Sequence, residues 1–364
     1  MAAALKRGAI VLGVLLSLMP PPACGERRHV ADDEAVQLFT TSANLDPDGR
    51  NWEVPVHGWI FEPERGSWWR AAVNKGVLDL LELSPADPGS GILQRRLAMF
   101  LVDNERGKVL TVRVDGRPVA AGPSGPDGHF ETRVMLPGAP VSSASGVSLR
   151  ISAADGREFF GRVQLLDPRG LSVISDIDDT VKVSRVADKR ELLANTFLRE
   201  FMAVPGMAAA YRRWAGQGAA FHYVSASPWQ LYAALDRFLG RTGFPRGELR
   251  LRHFRVKDRH LFTFMTQSRT FKTRTIDALL DRFPQRAFIL VGDSGENDPA
   301  IYADIARSRP KQVIGIYIRL VAADAAHRQR TAAHFRGLPA SCWHLFITGH
   351  ELENAVAVAG SENG

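Results

Sequence analysis

The stretch that most constrains this chain is Leu171 to Thr180, L-S-V-I-S-D-I-D-D-T. It opens with apolar and β-branched residues that have no helical spacing, the pattern of a buried strand, and it runs straight into carboxylates. A buried strand excludes water along its length. Asp176 and Asp178 are therefore tolerable only at its open tip, where a cation can offset their repulsion. In an open α/β sheet, ligands bind just beyond such tips.

From Leu171 onward strand and helix alternate, which predicts parallel strands joined by crossover helices. Helices are predicted over Lys189–Met202, from Val204-Pro-Gly-Met through Trp214, after Ser227-Pro228 to Leu239, over Phe271–Phe283 and over Pro299–Arg307. Strands are predicted at Ala219–Val224, Leu249–Arg252, Ala287–Val291 and Val313–Ile318. Ser227 can cap the helix that Pro228 opens. Between Trp52 and Asp167 the texture differs: short apolar runs are broken by turn residues, with Asp115-Gly116 a strong hairpin signal. That half predicts a β-rich, sandwich-like domain over 30–168 ahead of a catalytic domain over 169–350 and a tail over 351–364. Ser67–Leu83 and Gly91–Met99 could include helix. Trp59, Trp68 and Trp69 fit the core of such a sandwich better than a ligand face.

Lys6 and Arg7, the apolar run Ala9–Met19 and Pro20-Pro21-Pro22-Ala23-Cys24 have the layout of a secretory signal, too short for a stable membrane span. The expectation is an exported protein, periplasmic or anchored as a lipoprotein at Cys24, although Pro21 stands where a lipobox usually carries Leu. Losing residues 1–24 removes Lys6 and Arg7 and no acid, so the formal charge falls from +7 to +5. A basic balance suits nucleic acid, anionic lipid or phosphorylated substrates, and export argues against the first. Only two cysteines, Cys24 and Cys342, rule out a disulfide framework.

The spacing Asp176-x-Asp178-x-Thr180 resembles the first motif of the haloacid dehalogenase superfamily, and three further elements follow in that superfamily's order. They are Ser225 after the second strand, Lys272 at a helix start, and Gly292-Asp293 with Asp298 after another strand. Singly, each is an ordinary cap, solvated lysine or turn; four together in order are not. The short interval from Thr180 to Ser225 leaves little room for a large cap domain.

Longer strings are more specific. S-D-I-D-D-T-V-K at 175–182, V-P-G-M at 204–207, Y-V-S-A-S-P-W-Q-L-Y at 223–232, F-P-R-G at 244–247 and G-D-S-G-E-N-D-P at 292–299 resemble the catalytic domain of the actin-patch type of phosphatidate phosphatase. The resemblance covers roughly residues 171–320. It implies a Rossmann-like, haloacid dehalogenase-type fold and Mg²⁺-dependent hydrolysis of phosphatidate at a membrane surface. Asp176 would be the nucleophile and a metal ligand, and Asp178 the acid/base with its carbonyl on the metal. Asp293 would be a further ligand, with Asp298 supporting the metal. Thr180, Ser225 and Lys272 would hold the phosphoryl group. Glu296 departs from the Gln that family members often carry.

Lys182 and Arg185, just past Asp178, are candidates for holding a lipid phosphate. The basic segment Arg250–His260 beside Leu261–Met265 fits a bilayer contact or a solvated loop equally. Two alternatives stay open: a phosphatase acting on a soluble phosphomonoester, and a non-catalytic lipid-binding module.

Overall fold

The computed structural model describes residues 29–63, 90–138, 146–253 and 269–352. The signal-like segment with Cys24, Trp68 and Trp69, residues 254–265 of the basic and aromatic stretch, and most of the tail lie outside these.

Two sheets organise the described chain. The first holds β1 (Ala35–Leu38), β2 (Thr41–Leu45), β3 (Asn51–Glu62), β4 (Asp103–Asn104), β5 (Leu110–Val114), β6 (Arg117–Ala121), β7 (His129–Pro137), β8 (Gly146–Ser152) and β9 (Glu158–Leu166). Its path is β1-β3-β2-β9-β8-β5-β6, with β4 and β7 also pairing β3. A sandwich would hold two separate sheets; here the twelve-residue β3 bonds four strands along its length and joins the set into one. Strands such as β5 and β8 alternate buried and exposed. Their inner residues share one core with β1, β3 and β7, so the sheet curls around a single apolar filling. The β5–β6 hairpin turns on Asp115 and Gly116, both at positive φ, the backbone a two-residue primed turn demands.

The second sheet is wholly parallel: β10 (Leu171–Ser175), β11 (Ala220–Pro228), β12 (Glu248–Arg252), β13 (Ala287–Asp293), β14 (Val313–Arg319) and β15 (Trp343–Phe346). Its order is β12-β11-β10-β13-β14-β15, the doubly wound arrangement that reverses direction between β10 and β13. Adjacent residues of β10 serve different faces, because Val173 joins one apolar core and Ile174 another. Helices α1 (Ser90–Ala98), α2 (Lys189–Leu193), α3 (Met207–Gly216), α4 (Tyr232–Thr242), α5 (Arg269–Arg282), α6 (Asp298–Ser308) and α7 (Ala325–Ala333) accompany the strands. The long helix expected over 189–202 is instead α2 followed by a π-helical stretch, Ala194–Leu198. The alternation also runs past 318, through α7 to β15. Among the described residues, no helix is long and apolar enough to cross a membrane.

The two regions share packing. Phe39, Trp59 and Leu97 of the first half belong to the same buried cluster as Val173, Tyr211 and Tyr232 of the second. Burying such side chains away from water is the main source of their cohesion.

Candidate active site

The carboxyl tips of β10, β11 and β13 meet beside the point where strand order reverses. Past β10 the chain turns tightly, with the amides of Val181 and Lys182 both reaching the Ile177 carbonyl at 3.0 and 2.9 Å. Ile177 and Val181 point into the apolar core, which leaves Asp176, Asp178 and Thr180 for the opposite side. Asp179 ties the loop down. At a φ of 55°, its carboxylate accepts from the amides of Ser184 (2.9 Å), Arg185 (2.8 Å) and Val186 (2.7 Å). Arg319 at the end of β14 donates to the Asp179 carbonyl at 2.6 Å.

Two buried clusters follow from this turn. Around Asp176, the Lys272 ammonium lies 2.8 Å from its Oδ1, and Thr180 donates to its Oδ2 at 3.0 Å. Lys272, in the first turn of α5, also reaches Asp298 at 2.6 Å and Glu296 at 3.0 Å. Asp176, Asp293 and Asp298 each offer an oxygen within 4.8 Å of the others, and all three are buried. One oxygen of Asp293 accepts from the Gly295 amide at 2.6 Å, while its Oδ2 is buried with no hydrogen-bond partner among the described residues. Three hard oxygens converging with one unsatisfied suit Mg²⁺. Burial, with Asp298, Glu296 and Asp178 adding, pushes the Asp176 carboxyl well above the ordinary range against the pull of Lys272. Burial also raises Asp293, with the charges of Asp298 and Asp176 next. Burial would lower the Lys272 ammonium, but Asp176, Asp298 and Glu296 outweigh it and raise it.

Around Asp178 the balance is reversed. Lys182 sits 2.8 Å from its Oδ1, and Ser184 donates to the same oxygen at 2.7 Å. Ser225 and Ser227 donate to Oδ2 at 3.0 and 2.9 Å. Burial would raise this carboxyl, yet Lys182 and the hydroxyls of Ser184 and Ser227 hold it below the ordinary range.

Asp176, Asp178, Thr180, Ser225, Lys272, Asp293 and Asp298 are thus gathered within one constellation. Lys182 is drawn in as well, but onto Asp178 rather than toward open space. Arg185 is left out: its backbone takes a φ of 57° and its guanidinium turns to Glu191 at 3.0 Å on the surface. Ser184, which drew no expectation, and Ser227, expected as a helix cap, both donate to Asp178 instead, and Ser227 makes no cap bond. Ser227 carried a signal, since residues two apart on an extended strand point the same way, so Ser225 and Ser227 share a face. Ser184 carried none.

Residues 171–320, which carry every side chain of this constellation, match the family model of the phosphatidate phosphatase APP1 catalytic domain. Two curated fungal proteins are similar to it. One is an uncharacterised protein of Schizosaccharomyces pombe, 33% identical over 189 residues, which are 50% of this chain and 31% of that protein. The other is phosphatidate phosphatase APP1 of Saccharomyces cerevisiae, 35% identical over 158 residues, 42% of this chain and 26% of that protein. The chain therefore spans under a third of the length of these relatives.

Proposed function

We propose that this chain is a Mg²⁺-dependent phosphatidate phosphatase, built on a haloacid dehalogenase-type fold and exported from the cytoplasm to face a membrane. One observation carries the reading: Asp176, Asp293 and Asp298 converge to within 4.8 Å, beside a buried lysine, inside the stretch that matches the APP1 catalytic domain. The relative's named activity supplies the substrate.

Asp176 is the nucleophile in this mechanism. One carboxylate oxygen attacks phosphorus, the bond to the glyceride oxygen breaks, and diacylglycerol leaves. Thr180, already on Asp176 Oδ2, fixes which oxygen faces the substrate. Lys272 supplies positive charge where the phosphoryl oxygens gather negative charge. Asp178 serves both halves of the cycle. The dianionic phosphate, brought close, raises its pKa and loads it with the proton that the departing alkoxide needs. It then takes a proton from the water that hydrolyses the aspartyl-phosphate, and gives that proton up to solvent as phosphate leaves, which returns it to its starting carboxylate. Asp176, Asp293 and Asp298 would hold Mg²⁺, which when bound offsets the clustered carboxylates and withdraws charge from the phosphoryl group.

The test is phosphate release by the purified chain from phosphatidate in mixed micelles, compared with soluble phosphomonoesters, with and without Mg²⁺. Release from phosphatidate that requires Mg²⁺ is expected. A clear preference for soluble esters would overturn the lipid assignment.

A further inference from the structure

A concavity of about 200 Å³ lies outside the acid clusters, and the mechanism above does not use it. It runs between α1, residues 200–201 and α4, with an apolar floor that includes Met99, Phe201 and Phe238. Arg95, Arg237 and Arg241 line it and are exposed, while Glu200 is its one carboxylate among the described lining residues. Glu200 meets Arg241 at 3.3 Å, so the rim keeps an excess of positive charge. The buried Arg96 is already engaged, donating to the carbonyls of Thr196 at 2.6 Å and Arg199 at 2.8 Å with its guanidinium 3.8 Å from the Phe201 ring centroid. The buried Phe201 ring stands between the groove and the acid–base side of the reaction site. The same Phe201 ring lies 4.9 Å from the ammonium of Lys182, which holds Asp178. Next along the chain, Met202 is 65% exposed, an apolar side chain with no core to fill.

We infer that this groove docks the protein on an anionic phospholipid bilayer, its arginines taking head-group phosphates and Met99 and Met202 meeting the acyl boundary. Guanidinium groups match phosphate oxygens in paired fashion and are weakly hydrated, so they suit a surface that is partly dehydrated on contact. Like charges arranged around an apolar floor repel one another until an anion arrives, and an amphiphilic surface satisfies floor and rim together. A soluble acidic peptide or free phosphate satisfies only the rim. Docking here would bring the bilayer beside the Asp178 turn, which is where a membrane-embedded substrate has to arrive. The inference rests on the phosphatidate reading for its purpose, but its test reads binding alone.

Sedimentation of the full chain with vesicles of phosphatidylcholine, with and without phosphatidylglycerol, supplies that test, because neither lipid is the proposed substrate. Binding only to the phosphatidylglycerol vesicles is expected. Each arginine replaced should weaken it about fivefold, so Arg95→Gln, Arg237→Gln and Arg241→Gln together should weaken it about a hundredfold. Met202→Asp should weaken it on its own, and hydrolysis of a soluble short-chain ester should persist in every variant. Equal binding by the triple variant, or no preference for anionic vesicles, overturns the proposal. Loss of vesicle binding in millimolar inorganic phosphate at constant ionic strength would mark a free-phosphate site and overturn it too. A chain that binds these vesicles through the arginines yet releases no phosphate from phosphatidate would keep the groove and sink the enzyme reading; the opposite result would do the reverse.

Discussion

Asp176 and Asp178 stand two residues apart on one turn, both buried, yet their surroundings drive them in opposite directions. Asp176 shares a single ammonium with Asp298 and Glu296 and lies against Asp293, so the cluster is short of positive charge. Asp178 has a lysine of its own and three serine hydroxyls, so its charge is fully met. Under the proposed mechanism, the difference separates two tasks. An electron-rich cluster awaits a cation and an electrophile, whereas a satisfied carboxylate is held in place to exchange protons. The largest expected effect of breaking this division is in Asp176→Asn, which removes the attacking oxygen with little change of shape. Phosphate release should fall on the order of a thousandfold or more, with vesicle binding intact and the circular dichroism spectrum unchanged. Residual turnover within tenfold of the parent would remove Asp176 from the role of nucleophile.

On the satisfied side, Lys182→Met strips the counter-charge from buried Asp178 and should cost about 3–5 kcal/mol of stability, read from denaturant unfolding. Combining it with Asp178→Asn should recover part of that loss, because no unpaired charge is then buried. A double variant as weak as the sum of the singles would show that the pair does not act as a unit.

The Asp176 and Asp178 sides should also answer Mg²⁺ differently. Bound at a hundred times its dissociation constant, the ion should stabilise the parent chain by about 2.7 kcal/mol. Asp293→Asn should lose that gain, and without the ion it should melt no lower than the parent, since one repelling carboxylate is gone. Removing one of the hydroxyls that donate to Asp178, as in Ser227→Ala, should leave the Mg²⁺ response untouched. That variant gives up a hydrogen bond to a charged group, roughly 1.5 kcal/mol, so the rate constant should drop about tenfold.

How far these clusters were legible in the sequence follows from the range of the forces involved. A buried-strand pattern running straight into carboxylates marks Asp176, Asp178 and Thr180 at one strand tip, and chain order supplies Ser225, Lys272, Asp293 and Asp298. Periodicity marked the parallel strands as far as β14, but the four-residue edge strand β15 has too little pattern to register. Ser184 and Asp179 were silent because their roles exist only once residues 179–186 close on themselves. The same closure, with its positive φ, is what swings Arg185 to Glu191. In the first half, β3 pairs Asn51–Trp59 with His129–Pro137 across a long loop of sequence, and nothing local announces that the strands join in one sheet.

That first half offers none of the carboxylates or lysines of either cluster, yet it grips the short helical turn that follows β11, the strand whose end carries two of the hydroxyls on Asp178. Trp229 follows Ser225 and Ser227 by a few residues, and its ring stacks on His129 with centroids 3.5 Å apart and on Trp59 at 5.5 Å. The Thr40 amide donates to the Tyr232 hydroxyl at 2.8 Å and fixes the far end of the same turn. His129 is buried, and burial drives its imidazole far below the ordinary range, so it stacks as a neutral ring. His129→Ala should therefore loosen Ser225 and Ser227 and lower the rate constant about fivefold, the equivalent of a stacking contact of roughly 1 kcal/mol, with little change in KM. His129→Phe keeps a flat ring against Trp229 and should restore most of the rate. If Ala and Phe behave alike, or if KM moves and the rate constant does not, the β-rich half supports the acid–base side only by being folded next to it, and the asymmetry between the two carboxylates is made entirely within residues 171–320.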